Sequence, residues 1–106
     1  MAKVLWTQKQ DIGPAPRIFP AMTFDATRER AVLFGGQTAD GTPMADTWTW
    51  DGSDWTQVAD TGPDARALNA LAYDRVREQV VLFGGSDNTN LVGDTWAWDG
   101  TDWTQL

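Results

Sequence analysis

Apolar and polar residues alternate in short segments along the chain, and turns rich in glycine or aspartate separate these segments. Two segments, 31–34 and 80–83, are instead continuous apolar runs, which are typical of strands buried on both faces. Asp51 and Gly52 lie between the third and fourth segments and are typical of a tight hairpin. The pattern predicts two successive sets of four strands and no helix, at 18–25, 31–34, 46–50 and 55–58, followed by 67–74, 80–83, 94–98 and 103–106.

The two sets of strands are copies of one unit. The sequence Trp-Thr-Gln occurs at 6–8, 55–57 and 103–105, so the repeat length is 49 and then 48 residues. The copies differ mainly in the connection between the second and third strands, at 37–45 and 86–93. A lone four-stranded sheet with two apolar faces is not stable in water, so neighbouring sheets must cover it. We therefore expect an all-β repeat protein built from stacked sheets.

The repeated unit resembles a kelch repeat of the Trp-rich bacterial type. Four features that both copies share carry this resemblance. They are an arginine before the first strand, Asp-x-x-Arg-Glu, Val-Leu-Phe-Gly-Gly and Asp-Thr-Trp-x-Trp-Asp-Gly-x-Asp-Trp-Thr-Gln. Kelch repeats are the four-stranded antiparallel blades of β-propellers. The resemblance implies two blades in this chain, 9–58 and 59–106, with 4–8 as a surplus outer strand. Its structural repeat residues here are Gly35, Gly36, Gly84, Gly85, Trp48, Trp50, Trp55, Trp96, Trp98 and Trp103.

These glycines and tryptophans have both structural and functional interpretations. The double glycines fit a chain that leaves a strand with positive φ or passes close to the next blade. A phosphate-binding loop would need a lysine and a following helix, which the sequence lacks here. The tryptophans fit packing between blades, with a sugar-stacking platform as the alternative. In both cases we favour the structural interpretation.

Composition narrows the possible functions. The net charge of −7 disfavours nucleic acid and anionic membranes as partners. The chain has no Cys and no His, which removes thiol nucleophiles, imidazole bases and most zinc and copper sites. Galactose oxidase shares the kelch propeller but uses copper with His, Tyr and Cys, so its activity does not transfer. We expect no catalytic residue, metal or cofactor, and a soluble chain without a signal peptide whose compartment the sequence leaves open.

Two blades are too few for a closed propeller, which typically has four to eight. A chain with two blades would expose apolar, Trp-bearing faces at both ends. Identical chains in a closed head-to-tail ring would cover those faces. We predict a homotrimer that forms a six-bladed propeller, with an eight-bladed tetramer as the second choice. Segments 4–8 and 103–106 compete for the outer strand of the last blade, and we expect 103–106 to occupy it.

Two functions remain open at this point. The first is a self-assembling structural or interaction scaffold, and the second is a propeller that binds a protein or a glycan through the rim loops 37–45 and 86–93. Arg17 and Arg66 precede the innermost strands, where they either face a central channel or hydrogen-bond the backbone of a neighbouring blade. The other polar candidates for binding, which turn formation also explains, are Asp40, Asp87, Asn88 and Asn90.

Overall fold

The computed structural model describes residues 12–106, which form two four-stranded antiparallel sheets. The first sheet contains β1 (Ala21–Asp25), β2 (Arg30–Phe34), β3 (Thr47–Trp50) and β4 (Trp55–Ala59). The second sheet contains β5 (Ala70–Asp74), β6 (Gln79–Phe83), β7 (Thr95–Trp98) and β8 (Trp103–Gln105). In each sheet the strands pair in chain order, which confirms the predicted all-β architecture of two blade-like units. Within residues 12–106, no helix has the length and apolarity that crossing a membrane requires.

An aspartate carboxylate stabilises each tight hairpin between the third and fourth strands. Asp51 Oδ1 accepts the backbone N–H groups of Ser53 at 2.9 Å and Asp54 at 2.8 Å. Asp99 makes the equivalent two bonds in the second sheet, both at 2.8 Å. These backbone hydrogen bonds hold the pKa of both carboxyls below the ordinary range. The Asp-Gly pairs in the sequence therefore act as turn formers.

The innermost strand of each sheet begins three residues later than the sequence pattern predicts. Strand β1 starts at Ala21 instead of Ile18, and β5 starts at Ala70 instead of Ala67. Phe19 and Leu68 have left-handed φ values of 56° and 61°, which interrupt the pleat. The predicted segments 18–25 and 67–74 were therefore wrong at their first three residues.

The outer strands lie at the edges of the two sheets. Strand β8 pairs with β7 and so completes the second sheet with the C-terminal Trp-Thr-Gln. Strand β4 ends at Ala59, one residue beyond the predicted first blade. The segment 4–8, predicted as a surplus outer strand, lies outside the described residues.

Each sheet has two distinct faces because successive residues of a strand point to opposite sides. The tryptophan face carries Trp48, Trp50 and Trp55 in the first sheet and Trp96, Trp98 and Trp103 in the second. The phenylalanine face carries the last residue of the second strand, Phe34 in the first sheet and Phe83 in the second.

The phenylalanine face of the first sheet packs on the tryptophan face of the second. Val32 from the first sheet and Val80 and Trp98 from the second form the buried centre of this junction. Strands β1 and β5 pack against each other, so the junction is narrowest along the innermost strands.

Candidate interaction surfaces

An aromatic contact and a hydrogen bond join the two sheets near the end at which β1 begins. The rings of Phe34 and Trp103 meet edge to face, with centroids 5.5 Å apart. Trp103 Nε1 also donates a hydrogen bond of 2.9 Å to the hydroxyl of Thr47. Trp103 is half-buried, and it combines apolar packing with a hydrogen-bonded indole N–H, which is the usual arrangement for a tryptophan packed against a core.

Two polar contacts join the sheets at the opposite end. Arg28 Nη1 donates to the Asp25 carboxylate at 2.9 Å and to the backbone carbonyl of Glu78 at 3.0 Å. The hydroxyls of Thr27 and Tyr73 are hydrogen-bonded across the same junction. Arg28 thus links a buried carboxylate of the first sheet to a turn of the second.

Each sheet also has one face that the other sheet does not cover. Phe34 is fully buried at the junction, whereas the equivalent Phe83 is 56% exposed. Met22 and Phe24 on the tryptophan face of the first sheet are 60% and 57% exposed. Their equivalents in β5, Leu71 and Tyr73, pack against the junction core. The two uncovered faces are therefore counterparts of the two faces that already pack together.

Arg17 and Arg66 are engaged within their own sheets. Arg17 binds both carboxylate oxygens of Asp46, at 2.7 and 2.8 Å, and donates to the Gly35 carbonyl at 3.0 Å. Arg66 binds both oxygens of Asp94 at 2.5 and 3.0 Å. The two arginine side chains are only 4% and 1% exposed. Both side chains therefore bond within their own sheet, and not to the backbone of a neighbouring blade as the structural interpretation of the sequence expected.

Each of these aspartates also accepts a hydrogen bond from a tryptophan two residues later in the chain. Trp48 Nε1 donates to Asp46 at 2.6 Å, and Trp96 Nε1 donates to Asp94 at 2.7 Å. Burial raises the pKa of Asp46, but the hydrogen bonds from Arg17 and Trp48 outweigh it and lower the pKa overall. The hydrogen bonds from Arg66 hold the pKa of Asp94 far below its ordinary value.

The first rim loop, 37–45, contains the predicted binding residue Asp40. Its carboxylate accepts hydrogen bonds from the hydroxyls of Thr38 and Thr42. These bonds, with that from Thr38 the stronger, lower the pKa of Asp40. Asp40 is exposed and belongs to a local turn.

The second rim loop, 86–93, contains the other three candidates. Asp87 Oδ1 accepts the backbone N–H groups of Thr89 at 3.0 Å and Asn90 at 2.7 Å. The intervening Asn88 has a φ of 79°. A Cβ atom placed on Gly41 would lie 3.4 Å from Nδ2 of Asn88. The structure therefore brings the two rim loops together at Gly41 and Asn88. The hydrogen bonds of Asp87 are those of a turn former.

The double glycine of the first sheet meets both conditions that the sequence suggested. Gly35 has a φ of 73°, and a Cβ atom there would lie 2.5 Å from the backbone oxygen of Arg66 in the second sheet. Gly84 has the same φ of 73°, but the nearest atom to its Cβ position is the Val92 oxygen at 3.5 Å. At this first glycine of the pair, the close approach therefore exists only where a second sheet follows, whereas Gly85 is close to the Ala67 oxygen of its own sheet, at 2.7 Å from its Cβ position.

Sequence reasoning missed Asp46 and Asp94 as the partners of the two arginines. It also missed Phe19 and Leu68 as exposed residues with left-handed backbone. The sequence did contain a signal for Asp46 and Asp94, because both repeats place an arginine before the first strand and Asp-Thr-Trp at the third strand. Among residues 12–106, no group of three or more His, Cys, Asp or Glu side chains is arranged to hold a metal ion.

Comparison with known proteins shows similarity in fold. No protein-family model matches the chain, and no curated protein matches its sequence. A solved structure described as that of YjhT superimposes on 93% of this chain with a TM-score of 0.68 and 17% sequence identity. The matched part is 29% of the YjhT chain, so this chain spans less than a third of that protein. The two blade-like sheets and this similarity together show a β-propeller-like fold.

Proposed function

We propose that the chain is a two-blade unit of a kelch-type propeller that assembles with copies of itself into a closed ring. The ring serves as a non-catalytic structural or interaction scaffold. The observation that carries this proposal is the mismatch in burial between equivalent residues such as Phe34 and Phe83. The uncovered phenylalanine face of one chain can pack on the uncovered tryptophan face of the next chain. Within the chain, the phenylalanine face of the first sheet packs on the tryptophan face of the second in the same way.

The junction within the chain serves as a template for the junction between chains. By the repeat, Phe83 takes the place of Phe34, and Arg77 takes the place of Arg28. Within the chain Arg28 lies against Gly100, whereas the equivalent Gly52 has open space around its Cβ position. Arg77 of the preceding chain would fill that space and donate to the carbonyl of Glu29. The repeated sequence thus supplies the polar contacts as well as the apolar ones.

Ring geometry favours three chains. A head-to-tail contact either closes into a ring or continues as a filament. Rings of two-blade chains contain an even number of blades, and four to eight blades are usual. Two, three and four copies give four, six and eight blades, and three copies avoid both ends of the usual range. Four copies, giving eight blades, are the second choice.

The chemistry of the chain supports a scaffold over an enzyme. The sequence has neither His nor Cys, the commonest bases and nucleophiles. The carboxylates of Asp46 and Asp94 are occupied by arginine and tryptophan. A second candidate function, binding of a protein or glycan by the rim, is favoured by the contact of the two rim loops at Gly41 and Asn88.

Light scattering on the 106-residue chain tests the assembly. Three chains of 11.7 kDa give a mass of about 35 kDa. Phe83→Asp disrupts the phenylalanine face and Met22→Asp the tryptophan face, so each variant alone should be monomeric. An equimolar mixture should form a dimer of about 23 kDa, because one intact face of each kind remains. Leu91→Asp, on an exposed rim loop, is the control and should leave the mass unchanged. A wild-type chain that stays monomeric would overturn the proposal.

A further inference from the structure

Phe19 and Leu68 occupy equivalent positions with an unfavourable backbone. Their φ values of 56° and 61° lie in the left-handed region, which bulky side chains rarely adopt. Glycine or asparagine at these positions would relieve the strain. Both repeats nevertheless carry a large apolar residue there. The backbone conformation therefore does not explain the choice of residue.

Packing does not explain the choice either. The Phe19 side chain is 51% exposed and the Leu68 side chain 62% exposed. The backbone N–H of Leu68 donates to the carbonyl of Phe19 at 3.2 Å, so the two residues are neighbours across the junction. A strained residue that is also apolar and exposed, and that occurs in both repeats, points to a role outside the folded chain.

The two side chains lie at the inner edge of the sheets. They lie two residues before β1 and β5, the strands that pack together where the junction is narrowest. In a closed ring these strands surround the central channel, so Phe19 and Leu68 lie at its mouth. We call the alternating ring of Phe19 and Leu68 side chains the apolar collar.

Ring closure leaves the apolar collar accessible. Phe19 already has the second sheet on one side, and Leu68 already has the first sheet on its other side. With that sheet beside it, each of the two residues is still more than 50% exposed. The sheets at a junction therefore do not cover this position from either direction. Ile18, next to Phe19, also lines a cavity of about 190 Å³, which extends the apolar surface outward.

The rim around the apolar collar is acidic. Asp40, Asp60, Asp64 and Asp87 lie in the connections at this end of the sheets. Arg17 and Arg66 are at the same end, but each is neutralised by a bidentate carboxylate. The other four arginines among residues 12–106 lie at the turns of the opposite end, at 28, 30, 75 and 77. An apolar collar surrounded by an acidic rim attracts a cationic partner.

We propose that the apolar collar binds an extended, basic segment of a partner protein by accepting one of its apolar side chains into the channel mouth. The acidic rim attracts the segment, and Phe19 and Leu68 hold the side chain. This inference rests on the proposed ring, which brings several Phe19 and Leu68 side chains together around one axis. Anionic membranes and nucleic acids are repelled by the same rim, which is why a protein segment is the occupant.

Synthetic peptides test the apolar collar. The probe is a five-residue amidated peptide with leucine at its centre and lysines on both sides. One control peptide replaces the leucine with serine, and the other replaces the lysines with glutamates. We expect the first peptide to bind at least about tenfold more tightly than either control in NMR titrations at low salt. Equal binding of the lysine peptides with leucine and serine would overturn the proposal, because only charge would then be recognised.

A pair of variants separates binding from folding. Phe19→Asn and Leu68→Asn, combined, remove the apolar side chains but keep a residue that tolerates left-handed backbone. We expect this double variant to lose at least about tenfold in peptide affinity while its thermal midpoint stays the same or rises. Leu91→Asn, an exposed apolar residue farther out on the rim, should retain binding.

Light scattering on the same samples distinguishes failure of the apolar collar from failure of the ring. Oligomers that ignore all three peptides would overturn the apolar collar and leave the ring intact. A monomeric wild type would overturn the ring, and selective peptide binding by that monomer would still support Phe19 and Leu68 as the site. Loss of binding in Leu91→Asn with retention in the double variant would overturn the apolar collar.

Discussion

Trp103 in the second sheet donates its indole N–H to the hydroxyl of Thr47 in the first sheet, at 2.9 Å. Thr47 is fully buried, so water cannot replace it. Replacing Thr47 with Val keeps the shape and leaves the indole N–H without its acceptor. We expect Thr47→Val to lower the free energy of unfolding by about 1–3 kcal/mol, measured by urea denaturation.

Thr49 supplies the control for this prediction. It is also buried and on the same strand, and no side-chain hydrogen bond is made by its hydroxyl among residues 12–106. Thr49→Val should change stability by less than about 0.5 kcal/mol. Equal losses in the two variants would show that the indole bond does not contribute to the junction.

Phe34 and Phe83 test how the two phenylalanine faces are used. Phe34→Ala removes a fully buried ring from the junction and should cost about 3–5 kcal/mol in urea unfolding. Phe83 is exposed in the single chain, but in the proposed assembly its side chain would be buried between two chains. We expect Phe83→Ala to weaken association in a dilution series followed by sedimentation. If Phe83→Ala leaves association unchanged, this face is not an interface.

Gly35 and Gly84 form a second matched pair. Both have a φ of 73°, so alanine at either position costs about 1 kcal/mol in backbone strain. Only at Gly35 does the new methyl group also press on the Arg66 carbonyl of the next sheet. We expect Gly35→Ala to lower the thermal midpoint of dilute protein more than Gly84→Ala does. Gly84→Ala should instead reduce the oligomeric fraction, because Gly84 would face the next chain in the proposed ring.

The number and order of the strands could be predicted because their signals are local. Alternation along a strand and an aspartate-glycine turn need only a few neighbouring residues, as at Asp51 and Gly52. The beginning of β1 could not be predicted in this way. A bulky residue with left-handed φ, such as Phe19, contradicts its own propensity and is held there by the surrounding structure.

The pairing of Arg17 with Asp46 was beyond local rules because 29 residues separate them. The different burial of Phe34 and Phe83 was hidden for another reason. Both phenylalanines end the same Val-Leu-Phe-Gly-Gly sequence, so their environments are set by which sheet lies beside each one. Site residues whose role depends on a neighbouring sheet can therefore be identified only from the arrangement of the sheets.

The bidentate pairs predict how stability depends on pH. The hydrogen bonds from Arg66 hold the pKa of Asp94 below its ordinary value of 3.8. The pKa of Asp46 is also lowered. A carboxyl whose pKa is depressed by folding stabilises the fold fully above its unfolded pKa. That contribution is lost as the pH falls through the folded pKa. We expect urea midpoints to hold steady down to about pH 5 and to fall progressively below about pH 4.

Conservative arginine variants show whether the buried pairs cause this acid sensitivity. Arg66→Lys keeps the charge but loses the two-pronged contact with Asp94, and it should cost about 1–3 kcal/mol at neutral pH. It should also flatten the fall in stability at acid pH, because the Asp94 pKa moves back toward its ordinary value. Arg75→Lys is the control, since Arg75 is exposed in the turn between β5 and β6. If both variants keep the wild-type acid profile, carboxylates other than Asp94 cause the loss of stability in acid.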